Sequence, residues 1–465
     1  MSGAMIFIQE DLKINDTQLQ ILTGILNLCA VVGSAAAGRT SDWIGRRYTI
    51  VIACLIFLVG AILMGYAPSY AFLMAGRCIS GVGVGFAIMI APVYSAEISS
   101  PRHRGRLSSL PELCISIGIL LGYISNYVFA KLPLKLGWRM MLGVAGVPAL
   151  ALSFGIFKMP ESPRWLVMQG RLGEAKKVLV QVSNTAEEAE FRLGEIKLTA
   201  GIDESCTDDI VKVPKKIGDD GVWKELLLRP SPPVRRLLFT AICLHIFQHI
   251  TGIEAVVLYS PRIFKKAGVT SKNKLLLATV GVGLTKTLFI LVAIFYLDKV
   301  GRRRLILTST AGMIIALAGL GIGLTMADHS KEQLLWALIL SIVATYAYVA
   351  AFSIGLGPIT WVYNSELFPL KLRALGASIG AGVNRLMNAA ISMSFISIYK
   401  AITIGGSFFM FAGIAVVAWL FFFFFLPETK GKSLEEIEMF FARGSNSRKI
   451  EDVEIQPIKK DDLSG

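Results

Sequence analysis

Long apolar runs recur along this chain, and they limit its fold more strongly than any other feature. Eleven stretches of about 20 residues carry few or no charges, which is the length that a helix needs to cross a bilayer. Each stretch is apolar on both faces, whereas a transmembrane β-strand alternates in polarity over about ten residues. We therefore predict an all-α, multi-pass membrane protein. The predicted spans are 19–37, 48–67, 71–95, 109–130, 138–158, 236–259, 275–297, 305–327, 334–363, 375–399 and 405–426.

The composition and the placement of charge agree with this prediction. Hydrophobic residues make up 54% of the chain and charged residues 17%, far from the balance of a soluble domain. If the segment before Leu19 lies outside, the inside loops hold 31 of the 47 Lys and Arg residues and the outside loops hold 10. This asymmetry follows the positive-inside rule. The net charge of +14 therefore reports membrane topology, and we expect no nucleic-acid partner.

The chain opens with MSGAMIFIQEDLKIND, in which an apolar stretch ends soon after it begins. Residues Met1 to Ile8 reach only about 12 Å as a helix, far less than the thickness of a bilayer. We interpret this stretch as the outer end of a first transmembrane helix that is incomplete.

Three motifs occur twice, in the same order and at nearly constant offsets of 256, 269 and 267 residues. This repeat predicts two homologous halves in parallel orientation, as in transporters whose central site opens alternately to the two sides. The motif pairs are 42–47 with 298–303, 94–97 with 363–366, and 160–162 with 427–429.

The repeat also predicts how the chain is divided. We expect an N-terminal transmembrane bundle at 1–159 and a C-terminal transmembrane bundle at 236–426. Between them, 160–235 is rich in charge and contains helical periodicity, which predicts a cytoplasmic linker with short amphipathic helices. Residues 427–465 are predicted to form a cytoplasmic tail.

Seven motifs resemble those of the sugar porter family of the major facilitator superfamily, in family order. They are GRTSDWIGRR, GRCISGVGVG, PESPRWL, QHITGIEAVVLYSP, LDKVGRRR, GPITWVYNSELFP and LPETKGKSLEEIE. This resemblance covers residues 1 to about 440 and implies the major facilitator fold of two six-helix bundles, here with the first helix incomplete.

Four shorter stretches are similar to the plant polyol and monosaccharide transporters: SLPELCIS, TGIEAVVLYSPRIF, GLTKTLFILVAIF and VNRLMN. Those proteins are proton symporters of linear polyols, inositol and pentose or hexose sugars. The similarity therefore implies a secondary active transporter that works by alternating access. Its implied partners are a polyol or sugar, protons and the lipid bilayer, and its expected location is the plasma membrane rather than the vacuolar membrane.

The resemblance also implies a substrate site, because the family binds sugar hydroxyls with amide side chains and a tryptophan. The matching positions are Glu112, Gln248, His249, Glu254, Lys286, Trp361 and Asn384. At four of these positions, the family's amide side chain is replaced by a charged residue or a histidine: Glu112, His249, Glu254 and Lys286. Carboxylate and ammonium groups still suit a polyhydroxylated ligand, since a charged partner strengthens a hydrogen bond to a hydroxyl.

Ionisable side chains inside a span cost roughly 2.5–3.5 kcal/mol each on insertion scales, so each one needs a reason. This chain has several, among them Arg77, Glu112, His245, His249, Glu254, Lys286 and Arg385. For His245, near the cytoplasmic end of its span, we expect a snorkelling or capping role.

Two spans are predicted to be interrupted. Gln248 and Glu254 are six residues apart, which a regular helix would not place on one face. Gly252 lies between them and Ser260-Pro261 follows, so we predict an interrupted helix. Gly357-Pro358 predicts a second interruption just before Trp361.

Charged residues of the repeated motifs are predicted to interlock as a cytoplasmic gate. A solvated ion pair is worth only about 0–1 kcal/mol, but the duplicated Glu-to-Arg spacing favours a network that breaks when the pore opens inward. Its predicted members are Asp42, Arg46, Glu97, Arg104, Glu161 and Arg164 in the first half, and Asp298, Arg302, Glu366, Arg373 and Glu428 in the second.

Proton coupling in the family involves an Asp in the first helix, within a GYD motif, and an Arg in the fourth. The Arg corresponds to Arg77. The GYD motif would precede the SGAM stretch and is not in this chain, so Glu112 is the candidate to replace its carboxylate. The alternatives to a proton symporter are a facilitative carrier, a transport-inactive truncated isoform and a sugar sensor.

An enzymatic role is not expected. The chain has neither a P-loop pattern nor a nucleophile-elbow setting for a serine, so we predict no ATP-driven step, no catalytic residues and no cofactor. The cysteines show no CxxC motif and no paired spacing, so neither a metal site nor a disulfide is predicted. They are Cys29, Cys54, Cys78, Cys114, Cys206 and Cys243.

Overall fold

The computed structural model describes residues 1–98, 104–183, 185–203, 206, 208–211, 232–330, 334–367 and 373–429. Within these ranges, the regular secondary structure is helical, apart from one isolated β-bridge between Arg171 and Ile210. The predicted all-α membrane fold is confirmed.

The first half contains five transmembrane segments behind a short opening helix. Its helices are α1 (Ala4–Leu12), α2 (Asp16–Ile44), α3 (Arg46–Tyr66), α4 (Tyr70–Ile98), α5 (Arg104–Phe129), α6 (Leu134–Gly143) and α7 (Gly146–Ile156). Helices α6 and α7 together form one span, Leu134–Ile156. Asn15 starts α2 with a capping box. Its side chain accepts a hydrogen bond from the backbone N–H of Gln18, and its own backbone N–H donates to the Gln18 side chain.

Three short helices follow in the linker region: α8 (Pro163–Met168), α9 (Leu172–Val182) and α10 (Ala186–Ala200). They bury a small apolar core of their own, which includes Leu166, Leu179 and Leu193. Lys176 on α9 donates to Glu190 on α10 across 2.9 Å. This ammonium holds the pKa of the Glu190 carboxyl below its usual value.

The second half has the same order of segments as the first. Its helices are α11 (Pro232–Ile250), α12 (Ile253–Ala267), α13 (Lys272–Val300), α14 (Arg302–His329), α15 (Leu335–Ile354), α16 (Leu356–Glu366), α17 (Arg373–Ile402) and α18 (Ile404–Phe425). Helices α11 and α12 lie in one span, as do α15 and α16.

Ten segments of the described chain are long and apolar enough to cross a membrane. They coincide with ten of the eleven predicted spans. The remaining predicted span, 375–399, lies inside the 30-residue helix α17, which carries the polar side chains Asn384, Arg385 and Asn388.

The sequence repeat has the same local structure in both halves. Gly45 and Gly301 precede α3 and α14 with φ values of 94° and 97°, in a region of backbone space that only glycine occupies at low cost. A Cβ at these two glycines would also meet carboxylate oxygens of Glu161 and Glu428, at 2.5 and 2.7 Å. Those carboxylates accept the first backbone N–H groups of α3 and α14, which explains why the repeat needs glycine and glutamate together.

Both predicted interruptions occur, with a shift in one. The predicted span 236–259 breaks between Ile250 and Ile253, where Gly252 has φ 95° and lies against the Phe411 ring. The helix then continues through Pro261 without a second break. The other interruption lies at Gly355, two residues before the predicted Gly357-Pro358, because Pro358 is tolerated in the first turn of α16.

The two halves meet along two seams, one between α2 and α17 and the other between α5 and α13. In the first seam, the Asn27 amide donates to Asn388 Oδ1 across 2.7 Å. In the second, Thr287 Oγ1 donates to the carbonyl of Ser116 across 3.3 Å. Polar groups therefore cross the interface between the halves in its interior, where the candidate site residues also lie.

Candidate functional site

The seven predicted substrate residues lie in the interior, on helices of both halves. Five of them are buried and two, Glu254 and Trp361, are half-buried. Glu112 comes from α5 of the first half, and the others come from α11, α12, α13, α16 and α17 of the second. The structure therefore brings distant parts of the sequence together around one polar interior region.

A chain of hydrogen bonds connects Arg385, Asn384 and Gln248 within this region. Arg385 Nε donates to Asn384 Oδ1 across 3.0 Å, and Asn384 Nδ2 donates to Gln248 Oε1 across 2.7 Å. Gln248 Nε2 then donates to the carbonyl of Gly357 across 3.1 Å. Asn384 and Arg385 lie on α17, Gln248 on α11 and Gly357 on α16, so these bonds connect three helices around Gln248.

His245 is one turn away from Gln248 and does not snorkel or cap as expected from its place in the sequence. It is fully buried, and its ring meets Trp361 edge to face with centroids 5.5 Å apart. Its Nδ1 lies 3.3 Å from Asn384 Nδ2. The expectation was wrong because His245 lies on the side of α11 that faces the interior of the bundle and not the membrane surface. There its ring packs against the Trp361 indole.

Lys286 and Glu112 form an ion pair across the seam between α5 and α13. Lys286 Nζ lies 3.6 Å from Glu112 Oε1, and each side chain is 8% exposed. A direct hydrogen bond between such groups would be about 2.7–2.9 Å long. The two groups therefore attract each other electrostatically but do not form a direct hydrogen bond with each other.

His249 and Glu254 flank the break between α11 and α12. His249 Nδ1 lies 3.5 Å from Glu254 Oε1. Neither ring nitrogen of His249 has a hydrogen-bond partner among the described residues, although the residue is only 3% exposed. A buried polar group without a partner is costly, so hydroxyl groups of a ligand would find unused partners here.

Arg77 lies apart from this cluster, on α4. Its Nε donates to the carbonyl of Leu22 across 3.1 Å and its Nη2 to the carbonyl of Thr23 across 3.0 Å. The described ion pair of Glu112 is with Lys286, so the expected pairing of Arg77 with Glu112 is not what these contacts provide. Carbonyls of α2 solvate the guanidinium instead.

Some of the predicted cytoplasmic gate residues make described contacts, each within one half. Arg46 pairs with Glu97 at 3.0 Å and with Asp42 at 3.3 Å, and its backbone N–H donates to Glu161, all within the first half. In the second half, the backbone N–H of Arg302 donates to Glu428.

The remaining predicted gate residues are Arg164, Arg104, Asp298, Glu366 and Arg373. Arg164 is exposed. The side chains of Arg104, Asp298, Glu366 and Arg373 lie outside the described part of the structure. The described contacts of Arg46 and Glu161 are thus within one half, and the gate itself stays a prediction.

Charged residues that the sequence analysis did not single out join the halves on the side predicted to face outward. Asp16, at the start of α2, contacts Arg262 at 2.9 Å and Lys400 at 2.5 Å, both in the second half. Glu10 on α1 contacts Lys272 at 2.7 Å. We call these three contacts the outer ion pairs.

A neighbouring carboxylate on α1 binds its own half instead. Asp11 accepts from the indole of Trp138 at 2.9 Å and from Arg139 at 3.4 Å. Within the stretch QED at 9–11, Asp11 therefore anchors α1 to the first half. Glu10 and Gln9, whose Oε1 accepts from Arg262 at 2.6 Å, anchor it to the second half. Charges at span ends are common, so only their opposite signs on the two halves could have indicated these pairs from sequence.

Comparisons with known proteins agree along nearly the whole chain. A family described as sugar (and other) transporter matches residues 7–441. The chain is 67% identical over 444 residues to the probable polyol transporter 6 of Arabidopsis thaliana, which covers 95% of this chain and 90% of that protein. It is 35% identical over 438 residues to the glucose transporter GlcP of Staphylococcus epidermidis, which covers 94% of this chain and 92% of that protein.

Solved structures are similar as well. The proton:xylose symporter XylE bound to 6-bromo-6-deoxy-D-glucose matches with a TM-score of 0.76 and 28% identity, covering 95% of this chain and 94% of that one. The partially occluded inward-open conformation of the xylose transporter XylE from E. coli matches with a TM-score of 0.76 and 26% identity, covering 93% and 94%. The similarity extends over both halves and the linker between them.

Proposed function

The chain belongs to the sugar transporter family of the major facilitator superfamily, and on that premise we propose that it carries linear polyols and monosaccharides across a membrane in symport with protons. Family membership makes it a multi-pass membrane transporter and not an enzyme. The relatives named as polyol transporters support the substrate class, and XylE, named as a proton:xylose symporter, supports the coupling.

The observation that carries this proposal is the buried region around Gln248, His249 and the Glu112–Lys286 pair. It offers amide, imidazole, carboxylate and ammonium groups from both halves, and some of their hydrogen-bonding capacity is unused. A polyhydroxylated ligand both donates and accepts hydrogen bonds along its length, so it matches such a set of partners. Trp361 adds an aromatic surface for the carbon skeleton, held by His245.

The mechanism follows from where the halves touch. A ligand bound between the two bundles is released to one side when they part on that side, and to the other when they rock back. The outer ion pairs join the two halves on the side predicted to face outward. In our proposal they break when the site opens outward, while the cytoplasmic motif residues close the opposite side.

The test is uptake of radiolabelled D-glucitol by transport-deficient cells, with a proton gradient and after its collapse by a protonophore. We expect accumulation above the external concentration only with the gradient. Uptake that equilibrates and ignores the gradient would identify a facilitative carrier. Binding without counterflow in proteoliposomes would identify a sensor. Fluorescent fusions imaged against markers of both membranes test the proposed location in the plasma membrane rather than the vacuolar membrane.

Loosening the outer ion pairs should favour the state that is open to the outside. Asp16→Asn removes the carboxylate shared by Arg262 and Lys400, and half-exposed pairs are each worth about 0–1 kcal/mol. We expect a several-fold faster reaction of a membrane-impermeant maleimide with a cysteine placed at Ser260, which is fully buried, in a background without the native cysteines.

Asp11→Asn is the matched control for Asp16→Asn. It removes a neighbouring carboxylate that binds Arg139 and Trp138 of its own half. The rate of labelling at Ser260→Cys should therefore equal that of the Ser260→Cys protein in which Asp11 and Asp16 are both unchanged. Equal labelling in all three proteins, or equal acceleration by both substitutions, would contradict a role of the outer pairs in closure.

A further inference from the structure

The Glu112–Lys286 pair has features that ordinary packing does not explain. Both side chains are 8% exposed, and burying two charges costs several kcal/mol per ion before their attraction is counted. The pair also joins two halves that must move apart during transport. Such a pair needs a role that a pair of apolar residues could not fill.

The helices on either side of the pair are held in close contact. A Cβ at Gly283 on α13 would lie 2.7 Å from the Tyr123 ring of α5, so the two backbones approach closely on the outer side of the pair. Thr287, next to Lys286, donates to the carbonyl of Ser116, one helical turn from Glu112. The seam therefore presents the carboxylate and the ammonium to the same interior region.

The formal charges of that region cancel. Glu112 and Glu254 supply two carboxylates, and Lys286 and Arg385 supply two cations. The spacing of 3.6 Å leaves the Glu112–Lys286 pair short of a direct hydrogen bond, so a hydroxyl can donate to the carboxylate and accept from the ammonium at once. A charged ligand would instead be attracted by one member and repelled by the other, so the two interactions offset each other. The free-energy cost of removing its charge from water would then remain uncompensated.

We propose that the charge balance of the Glu112–Lys286 pair sets the charge selectivity of this transporter: while the two charges cancel, neutral polyols pass and charged analogues are rejected, and an unbalanced charge admits the analogue of opposite sign. The inference rests on the proposed function and deepens it. Loss of Lys286 leaves a carboxylate that matches a cationic ligand, and loss of Glu112 leaves an ammonium that matches an anionic one. Loss of both leaves a neutral site with no preference for either sign.

Three substrates of one carbon skeleton test this proposal at pH 7: D-glucitol (neutral), D-glucamine (cationic) and D-gluconate (anionic). Each is offered as radiolabelled substrate to proteoliposomes clamped at zero membrane potential, so that voltage does not act on the charged substrates. The proteins are the wild type, Glu112→Gln, Lys286→Gln, the double variant and Thr287→Val. The last removes a polar contact across the same seam without changing charge.

The expected results differ in sign between the two single variants. The wild type takes up D-glucitol and neither charged analogue. Relative to D-glucitol, Lys286→Gln gains at least tenfold for D-glucamine, and Glu112→Gln gains at least tenfold for D-gluconate. The double variant and Thr287→Val take up neither charged analogue.

Several outcomes would overturn the proposal. Single variants that change uptake of all three substrates in the same proportion would show that the pair does not select charge. Absence of D-glucitol uptake by the wild type would overturn the proposed function, and with it this inference. Normal wild-type uptake, combined with single variants that do not distinguish the charged analogues, would overturn the inference alone.

A swapped pair keeps the test available if a single variant does not fold. Glu112→Lys combined with Lys286→Glu preserves the charge balance, so it should keep the preference for D-glucitol over both analogues. Uptake of either charged analogue by the swapped protein would overturn the proposal.

Discussion

Replacing Gln248 with alanine is expected to lower D-glucitol uptake at least tenfold, measured as kcat/KM. The side chain accepts from Asn384 and donates to the carbonyl of Gly357, and both of these partners would remain buried without it. An unsatisfied buried polar group costs about 1–3 kcal/mol, and 1.4 kcal/mol is a factor of ten. The loss adds to that of any direct hydrogen bond between Gln248 and the ligand.

Thr240→Ala provides the control on the same helix. Among the described residues, the Thr240 hydroxyl donates to the carbonyl of Arg236, one turn back in its own helix, at 2.9 Å, so its removal should leave uptake close to the wild-type rate. Size-exclusion profiles in detergent establish that both variants are folded. If Gln248→Ala transports as well as Thr240→Ala, the hydrogen-bonded chain through Asn384 does not support the site.

The second large effect is expected at Arg77. Arg77→Gln should abolish accumulation of D-glucitol against its gradient while counterflow in proteoliposomes continues, because the substitution removes a buried charge on α4 without touching the residues around Gln248. The accumulation ratio should fall to about one, since an uncoupled carrier only equilibrates its substrate across the membrane. The measurement is the ratio of internal to external label at steady state, with and without a proton gradient.

Arg77→Lys separates charge from geometry at this position. The guanidinium reaches two carbonyls of α2 at once, and an ammonium is a single point charge that cannot reproduce this contact. We expect partial accumulation in Arg77→Lys, between the wild type and Arg77→Gln. Full accumulation by Arg77→Gln would exclude Arg77 from proton coupling.

Much of the architecture could be predicted because membrane insertion imposes simple rules. Spans such as 48–67 and 405–426 are visible as apolar runs, since a lipid-facing helix cannot expose polar groups. The break was predictable from the six-residue spacing of Gln248 and Glu254 and the glycine between them. The structure adds that Gly252 has a positive φ and lies against the Phe411 ring. The second break was placed two residues late, because the sequence offers Gly355 and Gly357 equally and packing against Ser309 decides between them.

The candidate site was predictable in its members and not in its contacts. Motif positions identify Glu112 and Lys286 as charged residues inside spans, but nothing in their separation along the chain pairs them. His245 was misjudged for the same reason, since its distance from the end of the span says nothing about Trp361. The outer ion pairs were missed because Asp16, Arg262 and Lys400 lie outside the predicted spans, where charged residues are common, and nothing in the sequence pairs them.

The helices, their order and the duplication of the chain can be read from the sequence, because they depend on local hydropathy and on the positions of glycine. Which charges neutralise one another depends instead on the folded arrangement, which pairs Glu112 with Lys286 in the interior and Asp16 with Arg262 and Lys400 at the predicted outer side. The physical reason is that electrostatic attraction depends on distance in space and on burial, and residues of different halves come within 4 Å only after both bundles have formed.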